Sequence, residues 1–205
     1  MELPGRGSQI QQPPFTRITQ LVDALAEALL PFWDKPYAFF GHSMGAIISF
    51  ELARLLRAQG RREPSHLFVS GCRAPQIPGK TNSTYNLPLP EFLDELRRLK
   101  GTPQEVLEHE ELMQLTLPLL RADFEMVDTY RFEASLPLDC PITAYGGLQD
   151  DEVPREKLEG WREQTTSNFI LRMLPGDHFF LHSAQPTLLR ILSQDIQQVA
   201  QTLKR

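Results

Sequence analysis

The sequence is poor in cysteine. Only Cys72 and Cys140 occur in 205 residues, and no C-x-x-C spacing is present. No cysteine-based metal or redox motif can therefore be built, and both residues read as small core side chains. A basic excess is also lacking. The net charge is −5, with acidic and basic residues mixed along the chain, so no basic stripe exists to follow a phosphate backbone or an anionic lipid surface. Long apolar runs are absent as well. No stretch approaches the roughly 20 apolar residues of a membrane-spanning helix. The first twelve residues are polar and contain Gly and Pro rather than a signal-peptide core. These absences exclude nucleic-acid and membrane partners and lead to the expectation of a cytoplasmic protein. Asn82-Ser83-Thr84 matches a glycosylation acceptor, but without a secretory signal its use is not expected.

What is present describes a folded chain. Hydrophobic residues make up 41% and charged residues 23%, close to the globular average, and the length suits one domain spanning residues 1–205. Ile18, Leu21, Val22, Leu25 and Leu29 recur at helical spacing before Pro31. The apolar run Tyr37-Ala38-Phe39-Phe40 reads as a strand ending at Gly41. A helix from Ala46 to Ala58, closed by Gly60, follows it. Further strands are predicted at 66–70, 141–145 and 169–174. Helical patterns lie around Leu158–Trp161 and along Leu188, Ile191, Leu192, Ile196, Val199 and Leu203. Such alternation implies a mostly parallel sheet with helices on both faces.

Between the second and third strands, about residues 75–137, helical patterns occur without a convincing strand. Phe92, Leu93, Leu96 and Leu99 suggest one helix, Leu112, Leu115 and Leu119 a second, and Phe124, Val127 and Tyr130 a third. A structureless loop of that length would be unusual, so this region is expected to be a helical lid inserted over the sheet. An unusually long crossover is the alternative.

Gly41-His42-Ser43-Met44-Gly45 matches G-x-S-x-G, with the strand before it and helix after it that a nucleophile elbow requires. Such a turn forces the serine into a strained conformation with its hydroxyl above the sheet, and flanking glycines remove the Cβ atoms that would clash. A serine hydroxyl needs an imidazole to take its proton and an acid to orient that imidazole. Of the five histidines, His178 follows the last strand in Pro175-Gly176-Asp177-His178 and is the favoured base. His182, four residues later, reads as a solvated or packing residue. The acid should lie in Gly146-Gly147-Leu148-Gln149-Asp150-Asp151-Glu152, where three carboxylates compete and composition does not separate Asp150 from Asp151. Asp177, adjacent to His178, reads as a turn former. The backbone N–H of Met44 is the expected first oxyanion donor. A second should come from a loop before the first helix, yet no strand and glycine turn is legible there.

Taken together, these segments resemble the type II thioesterases, stand-alone α/β-hydrolases associated with non-ribosomal peptide and polyketide synthases. The resemblance is carried by Leu3-Pro4-Gly5-Arg6-Gly7, Phe40 to Ala46, Val69-Ser70-Gly71, Arg121-Ala122-Asp123-Phe124, Cys140-Pro141-Ile142, Tyr145-Gly146-Gly147 and Pro175 to Phe180, in order along essentially the whole chain. It implies Ser43 as nucleophile, His178 as base, and Asp150 as the acid, at the last position of a Gly-Gly-x-x-Asp pattern. It implies hydrolysis of acyl groups from the phosphopantetheine arms of acyl or peptidyl carrier protein domains, with no cofactor and no metal. Family members also carry a strand, an oxyanion loop and a helix ahead of the Leu-Pro-Gly-Arg-Gly segment. The resemblance therefore leads to the expectation that N-terminal strands flanking the elbow strand, and the oxyanion loop, are missing and that Met1 is not the functional start. A free small-molecule esterase or fatty-acyl thioesterase, and a weakly active or non-catalytic binding remnant, are the alternative readings.

Overall fold

The structure, a computed structural model, describes residues 2–79 and 83–203. Met1, on which the start-site expectation rests, and Asn82 of the glycosylation match lie outside the described residues. The chain divides into two compact units, Met1–Leu21 with Pro78–Arg131, and Val22–Ile77 with Phe132–Arg205. The division falls within helix α1 (Ile18–Ala28). Among the described residues, no helix is long and apolar enough to cross a membrane.

The first unit is helical. Helix α3 (Leu89–Leu99) starts with Pro88 as its cap and Pro90 in its first turn, carries Glu91 at its positive end and Arg97 and Arg98 at its negative end, and so obeys the dipole at both termini. A short helix α4 (Gln104–Glu108) follows, one that periodicity did not reveal. The two helices expected over 112–130 are instead one, α5 (Glu110–Thr129), with Pro118 inside it. Proline there removes one i→i−4 bond, but Met113, Leu117, Leu120 and Phe124 fall on one stripe that runs past it. That stripe packs with buried Phe92 and Leu96, so apolar burial on both sides of the proline outweighs the lost bond. Phe92 meets Phe124 edge-on at 5.5 Å, and the Arg121 guanidinium lies 4.5 Å from the Phe92 ring centroid while donating to the Tyr85 carbonyl. The N-terminal segment is anchored within this unit. Arg6 Nη2 donates to both carboxylate oxygens of Asp123, at 2.6 and 2.5 Å. Gly5 turns the chain with φ +83°, and a side chain there would press on Pro14 and Leu119, which accounts for a glycine in that segment.

The second unit is a four-stranded, wholly parallel sheet in the order β1-β2-β3-β4. The strands are β1 (Ala38–His42), β2 (His66–Ser70), β3 (Ile142–Gly147) and β4 (Phe169–Leu174). Every residue of β2 and β3 is buried. Because successive side chains point to opposite faces, both faces of the sheet centre are covered, as the sequence pattern implied. Phe68, Tyr145 and Leu174 form one face of the core with Phe180 and Leu188. Elsewhere in the core Phe50 of α2 (Met44–Ala58) meets Trp161 edge-on at 5.3 Å, and the indole N–H donates to the Cys72 carbonyl at 2.8 Å. Cys72 and Cys140 are free and buried. Burial pushes both thiols up to about 12, so neither is a thiolate at neutral pH.

The elbow strand, for which no partner upstream was expected, pairs with the downstream β2 over its whole length, from Ala38↔His66 to His42↔Ser70. Among the described residues β1 is an edge strand, with Ala38 and Phe40 exposed. One expectation needs correcting, and it concerns the last helix, α8 (Gln185–Thr202). Leu188, Ile191, Leu192 and Val199 pack on the core as expected, whereas Ile196 and Leu203 are exposed. Asp195 is buried instead. Its carboxylate accepts from Tyr145 Oη at 2.8 Å and from Arg172 Nε and Nη2 at 3.0 and 2.6 Å. A charged residue thus occupies a core-facing position because β3 and β4 present donors to it.

Removing that acceptor while leaving its donors should be costly. Asp195→Leu is expected to lower unfolding stability by about 2–3 kcal/mol, and Tyr145→Phe by about 1 kcal/mol. Urea denaturation monitored by tryptophan fluorescence reads both. An Asp195→Leu protein as stable as the parent would show that apolar packing alone holds α8.

Candidate active site

The site is assembled from the carboxyl ends of parallel strands, the edge where open α/β sheets place their ligands. At the end of β1 the chain reverses into α2 through Ser43, whose φ of 52° and ψ of −119° lie where L-residues are seldom found. Such a conformation costs on the order of 1–3 kcal/mol and persists only when its surroundings enforce it. Here the enforcement is visible. A Cβ on Gly41 would lie 2.1 Å from the Gly45 carbonyl oxygen, so strand and helix meet where only glycine fits. The Ser43 N–H donates to the Ser70 carbonyl of β2 at 2.8 Å. The expectation that both glycines relieve crowding holds for Gly41 alone, since a Cβ on Gly45 would meet nothing within 4 Å. Met44 is the first residue of α2, and its N–H therefore has no acceptor inside the helix.

The loop after β3 carries Asp150 and the loop after β4 carries His178. Asp150 is buried, and its Oδ1 accepts the Glu152 and Val153 N–H groups at 2.9 and 3.0 Å. Its Oδ2 lies 2.8 Å from His178 Nδ1, and His178 Nε2 lies 3.2 Å from Ser43 Oγ. Burial pushes the Asp150 carboxyl up, but the hydrogen bond and charge of His178 and the two backbone donors outweigh it and hold it below its ordinary value. An ionised Asp150 can only accept, so Nδ1 carries the ring proton and Nε2 is left to accept from the serine hydroxyl. The structure thus brings Ser43, His178 and Asp150 into one hydrogen-bonded series. Asp151, the rival acid, is exposed. His182 is also exposed and stacks on Phe179. Asp177 turns the chain, its Oδ1 accepting the Phe179 N–H at 3.0 Å.

Several residues around this series escaped the sequence reading. His42 Nδ1 hydrogen-bonds with Ser70 Oγ at 2.9 Å, and its ring lies 5.2 Å from that of His178. Burial, reinforced by the neighbouring His178, lowers His42 to about 4, so it is a neutral packing ring at neutral pH. Gly71, at φ +55°, leaves room for it, since a Cβ would lie 2.6 Å from His42 Cε1. Nothing in G-x-S-x-G marks its second position as a neighbour of the base. Gly147 was legible only as half of a glycine pair. Its role is to let two loops touch, because a Cβ there would sit 2.3 Å from the Asp177 carbonyl oxygen.

Comparison with known proteins gives the chain's family. A family model described as "Thioesterase domain" matches residues 1–196. The chain is 46% identical over 200 residues to "Linear gramicidin dehydrogenase LgrE" of Brevibacillus parabrevis, covering 96% of this chain and 76% of the relative. It is 45% identical to "Gramicidin S biosynthesis protein GrsT" of Aneurinibacillus migulanus, covering 97% and 78%. Among solved structures, ClbQ from the colibactin NRPS/PKS pathway superposes with a TM-score of 0.91 at 32% identity, covering 98% of this chain and 85% of that one. The α/β sheet, the strained serine turn and these likenesses have one conclusion, that the chain belongs to the thioesterase family.

Proposed function

We propose that the chain hydrolyses acyl thioesters carried on the phosphopantetheine arms of acyl or peptidyl carrier protein domains, in the service of non-ribosomal peptide or polyketide synthesis. The observation that carries this reading is the hydrogen-bonded series Ser43–His178–Asp150 in a member of the thioesterase family. Ser43 Oγ attacks the thioester carbonyl while His178 Nε2 takes its proton, and the Met44 N–H faces the developing oxyanion. The C–S bond breaks, the arm leaves as a thiol with the proton from His178, and the acyl group stays on Ser43. Water then attacks the acyl-serine with His178 again as base, and the acyl–Oγ bond breaks as His178 returns the proton to Ser43, releasing the acid. Asp150 keeps the imidazole in the productive tautomer and offsets its positive charge in both steps. No cofactor takes part, and cytoplasmic residence suits such a partner.

The name of one relative, a dehydrogenase, raises hydride transfer as a second reading. A dinucleotide site needs a G-x-G-x-x-G turn between strand and helix. After β1 this chain has Gly41-His42-Ser43-Met44-Gly45 with an aligned imidazole instead, which favours acyl transfer. We further propose that the chain works as one domain in which residues of about 75–137 act as a lid admitting acyl chains. Supporting this are Leu112 and Leu115 on α5, which remain exposed apolar side chains.

On acyl-loaded carrier protein, Ser43→Ala and His178→Ala are each expected to lower kcat by at least about ten-thousand-fold. Turnover near the parental rate in either variant removes the assignment, and equal efficiency on simple esters and loaded carrier removes the carrier partner. Asp150→Asn should cost about a thousand-fold or more through loss of imidazole orientation, while Asp151→Asn should change kcat less than about three-fold. A larger loss at 151 would reassign the acid. For the lid, hydrogen exchange should be faster in α3–α5 than in β2 and should slow when Ser43 carries a stable acyl adduct. Protection equal to that of β2, unaltered by the adduct, contradicts a moving lid.

A further inference from the structure

The loops that carry Asp150 and His178 are joined by a residue that the Gly-Gly-x-x-Asp pattern leaves open. Gln149 donates its backbone N–H to the Gly176 carbonyl at 2.9 Å, and its side-chain Oε1 accepts the Gly176 N–H at 2.6 Å. Both backbone groups of Gly176, two residues before His178, therefore end on Gln149, the residue immediately before Asp150. Neighbouring contacts give the bridge its geometry. Leu148 N–H donates to the Leu174 carbonyl at 2.8 Å, and Gly147 lets the backbones close to a distance that excludes a Cβ. Gly176 itself sits at φ +119°, a conformation with little intrinsic preference for one loop path. On its far side the His178 loop is fixed by the turn in which the Asp177 carbonyl accepts from Phe180 N–H.

We propose that Gln149 is a positioning residue for the thioesterase reaction, setting the register of the histidine loop against the acid loop and so the reach of His178 to both Asp150 and Ser43. This rests on the reading of the triad given above. The alignment it protects is narrow, because His178 must hold 2.8 Å to Asp150 and 3.2 Å to Ser43 at once. A displacement of about 1 Å in such a constellation costs on the order of a hundred-fold in rate. The backbone bond from Gln149 N–H survives any substitution there other than proline, so the side-chain bond limits rather than creates the alignment. Losing it is expected to cost less than that bound.

The test compares an isosteric variant without an acceptor with one that keeps it. Gln149→Met should lower kcat on acyl-loaded carrier protein about ten-fold with KM within two-fold. It should slow labelling of Ser43 by a fluorophosphonate by a similar factor, since that reaction needs the serine–imidazole alignment but no carrier protein. Gln149→Glu retains Oε1 and should recover at least half of the parental kcat and labelling rate. Thermal unfolding of both variants should lie within a few degrees of the parent, because the side chain is exposed. A Met variant with parental kcat and labelling, a loss confined to KM, or a Glu variant as slow as the Met variant each overturn the proposal. Failure of the underlying reading looks different, since Ser43→Ala would then retain hydrolysis and the parental protein would resist the probe.

Discussion

The contact on which the site depends is the one between the Gly41–Gly45 turn and the end of β2. Ser43 occupies a backbone conformation that an L-residue resists, and the approach of β1 to α2 closes to a distance that only a glycine at 41 permits. What stops the turn from relaxing is the Ser43 N–H bond to the Ser70 carbonyl, which ties the strained residue to a strand buried along its whole length. Strain of this size is small beside the burial of a strand such as β2. The sheet can therefore hold the serine hydroxyl outward without a compensating contact from any ligand.

Electrostatics then decide which neighbours can do chemistry. Two imidazoles lie side by side in the site, yet burial drives His42 to about 4 and leaves it neutral, while His178 faces an ionised carboxylate. A second cation beside His178 would oppose any positive charge on that ring. A neutral ring in that place packs against His178 without adding charge to the site. Asp150 stays charged although buried because three donors converge on its two oxygens. Asp151, one residue on, is exposed.

Much of this was legible in the sequence where one local rule governed the outcome. Alternating strands and helices gave the parallel sheet, and the G-x-S-x-G turn gave Ser43 with its strain. The loops after the last two strands gave the stretches from which Asp150 and His178 come together. Illegible features were those set by partners distant along the chain. Asp195 breaks an apolar helix face, and only Tyr145 and Arg172, on two strands, explain why it can. The continuity of α5 through Pro118 depends on a stripe that packs on α3, which local propensity cannot see. Asp150 and Asp151 are chemically identical neighbours, and which of them meets His178 follows from which carboxylate the Val153 and Glu152 N–H groups turn inward. The partner of β1 lies downstream in the chain, and a search for strands upstream of the elbow could not find it.

A parallel sheet aligns its carboxyl ends, so each strand can contribute one part of a site without long loops. Here β1 delivers the serine, β3 the carboxylate and β4 the imidazole. The fourth strand, β2, contributes none of these three side chains but fixes the other parts. The Ser70 carbonyl holds the Ser43 N–H, the Ser70 hydroxyl holds His42, and Gly71 leaves the space that the His42 ring fills. β2 is also flanked on both sides, by β1 and β3. A buried strand with neighbours on both sides is thus the one against which the strained turn is fixed, which is where a strained residue has to be anchored if its geometry is to outlast thermal motion of the loops around it.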